Sequence, residues 1–209
     1  MEHDCALTDR HGRGARSRMP RALMALLIVL VGSPAVIARA NADVVLVGLD
    51  DPAVVSSWAT VNDPVMGGRS TSTVAFGDGG LVFSGTISLE NNGGFASARS
   101  PVDPEIGRRA TGATTLGVQA RGDGKTYLLK VETVGQPWSY IQRFTSDAGV
   151  MRTYVLPVSG FQAVGMFLNP APDAPQTLDP AAISRVGIYI LDKQEGPFQI
   201  TVNAIVAST

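Results

Sequence analysis

The feature that most constrains this chain is a succession of short segments, from Asp43 onward, in which apolar and polar residues alternate between Gly, Asp, Asn and Pro. Alternation at every second place is the signature of a strand with one face buried and the other wet. It runs through Leu81-Val82-Phe83-Ser84-Gly85-Thr86-Ile87 and Leu116-Gly117-Val118-Gln119-Ala120, and again where Phe198, Ile200 and Val202 oppose Gln199, Thr201 and Asn203. Gly77-Asp78-Gly79-Gly80 and Asp123-Gly124 supply the positive φ values of tight hairpin turns. The pattern predicts an all-β sandwich or barrel of antiparallel strands. Helical periodicity is nearly absent. Its best instance is Asp179-Pro180-Ala181-Ala182-Ile183-Ser184, where Asp179 can cap and Pro180 can open one or two turns. Four prolines between 169 and 180 make that stretch a loop.

The first 42 residues read differently. Arg13, Arg16, Arg18 and Arg21 precede the apolar run from Ala22 to Val31, Ser33-Pro34 breaks it, and Ala40 and Ala42 suit a cleavage site. That order predicts a signal peptide over 1–42, with Met19 as an alternative start, and a single exported domain over 43–209, periplasmic or secreted. The apolar run is short for a permanent membrane anchor.

Cleavage there removes His3, His11 and Cys5, leaving neither imidazole nor thiol. Ser-His-Asp and Cys-His catalysis and the usual zinc sites are thereby excluded, as are disulfides. Oxygen ligation of a structural calcium stays possible, though nothing indicates it, and no organic cofactor motif is present. Residues 43–209 hold eleven Lys and Arg against fifteen Asp and Glu, a net charge of about −4 with no basic block. Nucleic acid is therefore not the expected partner. Asp63, Glu90 and Asp123 are the carboxylates an enzyme would draw on, but each sits beside turn residues that explain it, so no catalytic residue is assigned.

Three stretches are candidates for binding. Trp58-Ala59-Thr60-Val61-Asn62-Asp63-Pro64-Val65-Met66-Gly67-Gly68-Arg69-Ser70 combines amide, carboxylate and basic groups (Asn62, Asp63, Arg69) with an apolar Met66 beside two glycines. It reads as either a structural turn or a docking loop. Glu90-Asn91-Asn92-Gly93-Gly94-Phe95-Ala96-Ser97-Ala98-Arg99 puts Asn91, Asn92 and Arg99 around a strand, where they suit sugar hydroxyls or carboxylates. In Gly135-Gln136-Pro137-Trp138-Ser139-Tyr140 the alternate positions of Trp138 and Tyr140 point to one face, either to stack on a sugar ring or to fill the core. Arg121-Gly122-Asp123 is first of all a turn, with Arg121 kept as a possible binding residue.

Four of these stretches, in order, resemble the complex I intermediate-associated protein 30 family. They are the Asp-x-Val-Met-Gly-Gly-x-Ser loop at 63–70, Asn-Gly-Gly-Phe-Ala-Ser at 92–97, Arg-Gly-Asp-Gly at 121–124 and Gly-Pro-Phe at 196–198. Residues 149–157 lack the Trp often found there in the family. The resemblance implies a galactose-binding-like jelly-roll β-sandwich. For mitochondrial members it also implies a non-enzymatic role in assembling the membrane arm of respiratory complex I. Export would put this chain in another compartment, so what carries over is the kind of role: a protein-binding module, with a membrane-complex subunit as the candidate partner. The alternative is a carbohydrate-binding module of the cell envelope, taking a glycan through Trp138, Tyr140, Asn91, Asn92 and Arg99.

Overall fold

The computed structural model describes residues 43–209; the expected signal segment 1–42 and the side chain of Met66 lie outside the described residues. Twelve strands form two six-stranded sheets with antiparallel pairing throughout. In the first, β3 (Thr71–Gly77), β4 (Gly80–Ile87), β12 (Gly196–Ser208), β6 (Thr115–Arg121) and β9 (Met151–Pro157) lie in that order, and β1 (Val44–Gly48) pairs with the far half of β12. The second runs β10 (Gln162–Val164), β8 (Ser139–Thr145), β7 (Thr126–Thr133), β11 (Ile183–Ile190), β5 (Ala96–Arg99) and β2 (Ala59–Asn62).

The alternation decides which side chains meet between the sheets. Leu81, Phe83 and Ile87 of β4, Leu116, Val118 and Ala120 of β6, and Phe198, Ile200 and Val202 of β12 are all buried in one core cluster. They face Tyr127, Leu129 and Val131 of β7 and Val186, Ile188 and Ile190 of β11. Phe83 and Phe198 meet edge to face at 4.9 Å, a geometry that adds about 0.5–1.5 kcal/mol to area burial.

Turn chemistry is right in one case and misleading in another. Asp78 (φ 52°) and Gly79 (φ 74°) close the β3–β4 hairpin, as two successive positive φ values require. Asp123-Gly124 does not close a hairpin: β6 belongs to the first sheet and β7 to the second, so the segment crosses between layers. Asp123 supports that crossing by accepting from Lys125 N (3.0 Å), Tyr127 Oη (3.1 Å) and Gln199 N (2.9 Å).

The expected Asp179 cap is present, its Oδ1 accepting from Ala181 N at 3.0 Å ahead of a three-residue 3₁₀ turn, Pro180–Ala182. Two helices were not expected from the sequence, α1 (Pro52–Ser56) and α2 (Glu105–Ala110). At five and six residues they are too short for a 3.6-residue period to show.

Candidate functional site

The first two candidate stretches come together, and Asp63 joins them. Its carboxylate accepts from Ser70 N (2.7 Å) and Ser70 Oγ (2.5 Å) in its own loop, and from Gly94 N (2.6 Å) and Phe95 N (3.1 Å) in the other. Asp63 is 1% exposed. Burial alone would raise its pKa, but the hydrogen bonds to the charged form prevail and hold it below the ordinary value of 3.8. The close packing explains one glycine: a Cβ on Gly68 would lie 2.5 Å from the Asp63 carboxyl carbon. Asn91 Nδ2 donates to Gly67 O at 3.2 Å, and Arg69 pairs with Glu90 at 3.1 Å across the same seam. Asn62 is engaged locally, its amide meeting the Ser72 hydroxyl at 2.6 Å. This part of the motif is a latch whose polar groups satisfy one another.

Trp138 and Tyr140 do share a face, but it is the core face: Tyr140 is buried with its hydroxyl donating to Pro175 O at 2.9 Å, and Trp138 packs against the core cluster. Of the two alternatives, filling the core is the one the structure bears out; the alternation that aligned the rings does not say which face is wet. Arg121 lies on β6 in the other sheet, paired with Asp78 at 2.7 Å, and takes no part in the site below.

That site is an open cleft of about 740 Å³ across the outer face of the second sheet. Side chains pointing away from the core form its floor in successive rows. One row reads Arg99, Gly187, Lys130 and Ile141 across β5, β11, β7 and β8; the next reads Val61, Ser97, Tyr189, Leu128 and Arg143 from β2 to β8. The Tyr189 ring leans over Gly187, where a Cβ would come within 3.0 Å of the ring edge. Arg99 and Lys130 lie over the same ring, 5.2 and 5.6 Å from its centroid. Tyr189, Leu128, Ile141 and Val164 form a small apolar cluster beneath the cleft, separate from the main core.

The polar groups here are less fully paired than in the latch. The Tyr189 hydroxyl is buried and, among the described residues, makes no hydrogen bond of normal geometry. Ser97 lies beside it and slightly favours its charged form; the Ser97 hydroxyl donates to Val61 O at 2.7 Å and accepts from Arg99 Nε at 3.1 Å, which leaves one of its two lone pairs unused. Burial pushes the Tyr189 hydroxyl up to about 12, only partly opposed by the Arg99 charge, so it remains a neutral donor at physiological pH. Lys130 meets Glu132 at 3.3 Å, and Arg143 is held by both oxygens of Asp192 at 2.7 and 2.9 Å.

The walls come from loops. On the β2 side stand Val65 and residues 92–95, which the Asp63 latch fixes; on the β10 side stands the 3₁₀ turn Met166–Leu168. Val65, Met166 and Phe167 are 71%, 76% and 69% exposed. Phe167 (φ 55°) and Leu168 (φ 60°) occupy the left-handed region, which costs a non-glycine residue about 1 kcal/mol or more.

Of the residues expected from sequence, Asn92 and Arg99 line this cleft. Lys130, Ser139, Arg143, Phe167 and Tyr189 were not anticipated. The available signal was a charge at Lys130 and a polar-tipped ring at Tyr189 inside otherwise apolar strands, with Gly187 two places before Tyr189.

A two-sheet antiparallel sandwich with an open, mixed-polarity cleft on one outer face defines a galactose-binding-like jelly-roll domain. The chain belongs to the Complex I intermediate-associated protein 30 (CIA30) family, whose model matches residues 47–202. Among solved structures it is similar to the family 11 carbohydrate-binding module of cellulosomal cellulase Lic26A-Cel5E of Clostridium thermocellum, with 17% identity and a TM-score of 0.56 over 81% of this chain and 96% of that one. It is also similar to the family 11 module from Clostridium thermocellum in complex with a β-1,3-1,4-mixed-linked tetrasaccharide, with 14% identity and a TM-score of 0.50 over 73% and 89%. At such identities the likeness is one of fold. No curated protein matches the chain by sequence.

Proposed function

We propose that this protein is a non-catalytic, protein-binding module of the assembly-factor kind, exported to the cell envelope, which holds a segment of its partner in the cleft on the second sheet. The observation that carries this reading is the pair of exposed apolar walls, Val65 on one side and Met166 with Phe167 on the other, flanking a basic floor. Exposed apolar groups bordered by polar residues mark sites of protein interaction. Membership of a family described as complex I intermediate-associated supports the same reading.

The test is site-specific photocrosslinking in cells, with the photoreactive group at position 167 and a control at Val155, an exposed site on the first sheet. A discrete protein adduct from 167 that is missing from 155 is the expected result. Equal labelling from both positions would sink the proposal.

A second reading, glycan binding, is favoured by the unpartnered Tyr189 hydroxyl and by the likeness to a module solved with a tetrasaccharide. Calorimetry against neutral and acidic oligosaccharides decides it: saturable heat that a Tyr189→Phe variant loses supports the glycan, and flat titrations remove it.

A further inference from the structure

A second hollow of about 410 Å³, beside β1, α1 and α2, has Trp58 in its wall with Nε1 unpartnered. Its basic residue, Arg109, is already engaged by Leu46 O (2.7 Å) and Asp103 (3.4 Å), which leaves little to recognise a ligand. The larger cleft offers more.

Resting on the reading of that cleft as the partner's seat, we propose that the segment it accepts is an extended acidic peptide, with a carboxylate held between Arg99 and Lys130 above Tyr189 and apolar side chains against the two walls. Four basic side chains line the cleft; Arg143 is matched by Asp192 and Lys130 by Glu132, which leaves Arg99 and Lys193 without a carboxylate partner among the described residues. Residues 43–209 as a whole carry more acidic than basic groups, so this local excess selects for anions.

Geometry narrows the choice. Arg99 uses Nε on Ser97, and among the described residues no carboxylate pairs with its guanidinium. Its two terminal nitrogens form a fork suited to a carboxylate. The Lys130 side chain is 15% exposed and held over the ring, so little freedom is left to lose on binding. The Tyr189 hydroxyl has no acceptor among the described residues and is closed to solvent, so a covering side chain must shift before a ligand's carboxylate, which supplies acceptors only, can reach it. A carboxylate at this point therefore complements all three groups, whereas an amide would turn a donor toward donors.

The apolar walls favour a peptide over an acidic sugar. They stand at opposite edges of the sheet, next to β2 and β10, and six strands at the usual spacing separate them by about 24 Å, the reach of roughly seven extended residues. An acidic sugar offers only small C–H faces, which would cover Val65, Met166 and Phe167 less fully than apolar peptide side chains do.

The test uses fluorescence anisotropy of the purified protein with labelled peptides of about seven residues. The central residue is Asp, Asn or Lys, the second and sixth residues are Leu or Ser, and labelled trigalacturonate serves as an acidic sugar. The expected result is that the Asp peptide with Leu flanks binds about tenfold or more tighter than its Asn counterpart, and that salt at about 0.5 M weakens only the Asp peptide. Arg99→Gln and Lys130→Gln should each remove the preference for Asp, while Lys130→Glu should shift it toward the Lys peptide; thermal melts confirm that the variants are folded. Equal binding of Asp and Asn peptides overturns the acidic inference but leaves the cleft as a protein site. Saturable binding of labelled trigalacturonate with every peptide silent overturns both in favour of a glycan. Silence from every probe also overturns the acidic peptide, and the crosslink from position 167 then decides separately whether the cleft seats a protein.

Discussion

The Asp63 latch and the Tyr189 floor are neighbours built on opposite principles. In the latch a buried carboxylate receives four donors from two loops. On the floor a buried hydroxyl has no partner among the described residues, and of the two cations over its ring Lys130 is paired with Glu132 while Arg99 meets no carboxylate. Residues 93–95 connect the two, since the backbone that donates to Asp63 also forms one wall of the cleft. The family motif thus concentrates in the part that holds the wall still. The groups that face a ligand come from strands where no motif is apparent. Polar satisfaction stabilises, and unmet polar capacity is available for recognition.

The largest effect should come from breaking the latch. Asp63→Ala leaves four donors in a buried seam without their acceptor, at a cost of about 3 kcal/mol, which lowers Tm by about 6–12 °C in a calorimetric scan. The acid dependence has a definite sign. The folded-state pKa of Asp63 lies below its ordinary value of 3.8, so its contribution is full above about pH 4 and disappears as the pH falls through the folded value. Melts below pH 4 should therefore converge between the native protein and Asp63→Ala. Parallel curves would remove Asp63 from the acid response.

Next in size is Gly68→Ala. The added Cβ would sit 2.5 Å from the Asp63 carboxyl carbon, so the carboxylate must move off its donors, for about 2 kcal/mol in urea denaturation. Combined with Asp63→Ala, the second change should cost much less than it does alone, because the group it displaces is gone. Full additivity would mean that Gly68 acts through something other than the latch.

These residues show what was legible in the sequence. Strands β4, β6 and β12 and the Asp78-Gly79 hairpin announce themselves, because alternation and positive φ are local properties. The latch was half legible: Asp63, Gly68 and the glycines after Asn92 stood out as motif, but not as partners 31 and 32 residues apart. The cleft was not legible, since Val61, Arg99, Lys130, Ser139, Phe167 and Tyr189 come from separate strands and a loop that only the sheet order makes adjacent. Trp138 and Tyr140 mark the same limit. Period two says that they share a side, while the side itself is set by the opposite sheet.

A smaller effect compares two tyrosines. Tyr140→Phe deletes a hydrogen bond to Pro175 O, which should cost about 1 kcal/mol, with binding in the cleft unchanged because Tyr140 faces the core. Loss of binding on this change would return Tyr140 to the site.

Tyr189→Phe sharpens the contrast most, because its expected effect on stability is near zero or slightly favourable. The hydroxyl it removes is buried without a partner, so the folded state gives up a desolvated group rather than a bond. The ring stays over Gly187, and Arg99 and Lys130 keep the face they rest on. Ligand affinity should nevertheless fall, since in the proposed complex the hydroxyl donates to the ligand's carboxylate. A melt unchanged to within about 0.5 kcal/mol together with weaker binding would separate recognition from folding at a single atom. A clear loss of stability would show instead that the hydroxyl is satisfied within the fold, by Ser97 or by water, and the floor would then resemble the latch after all.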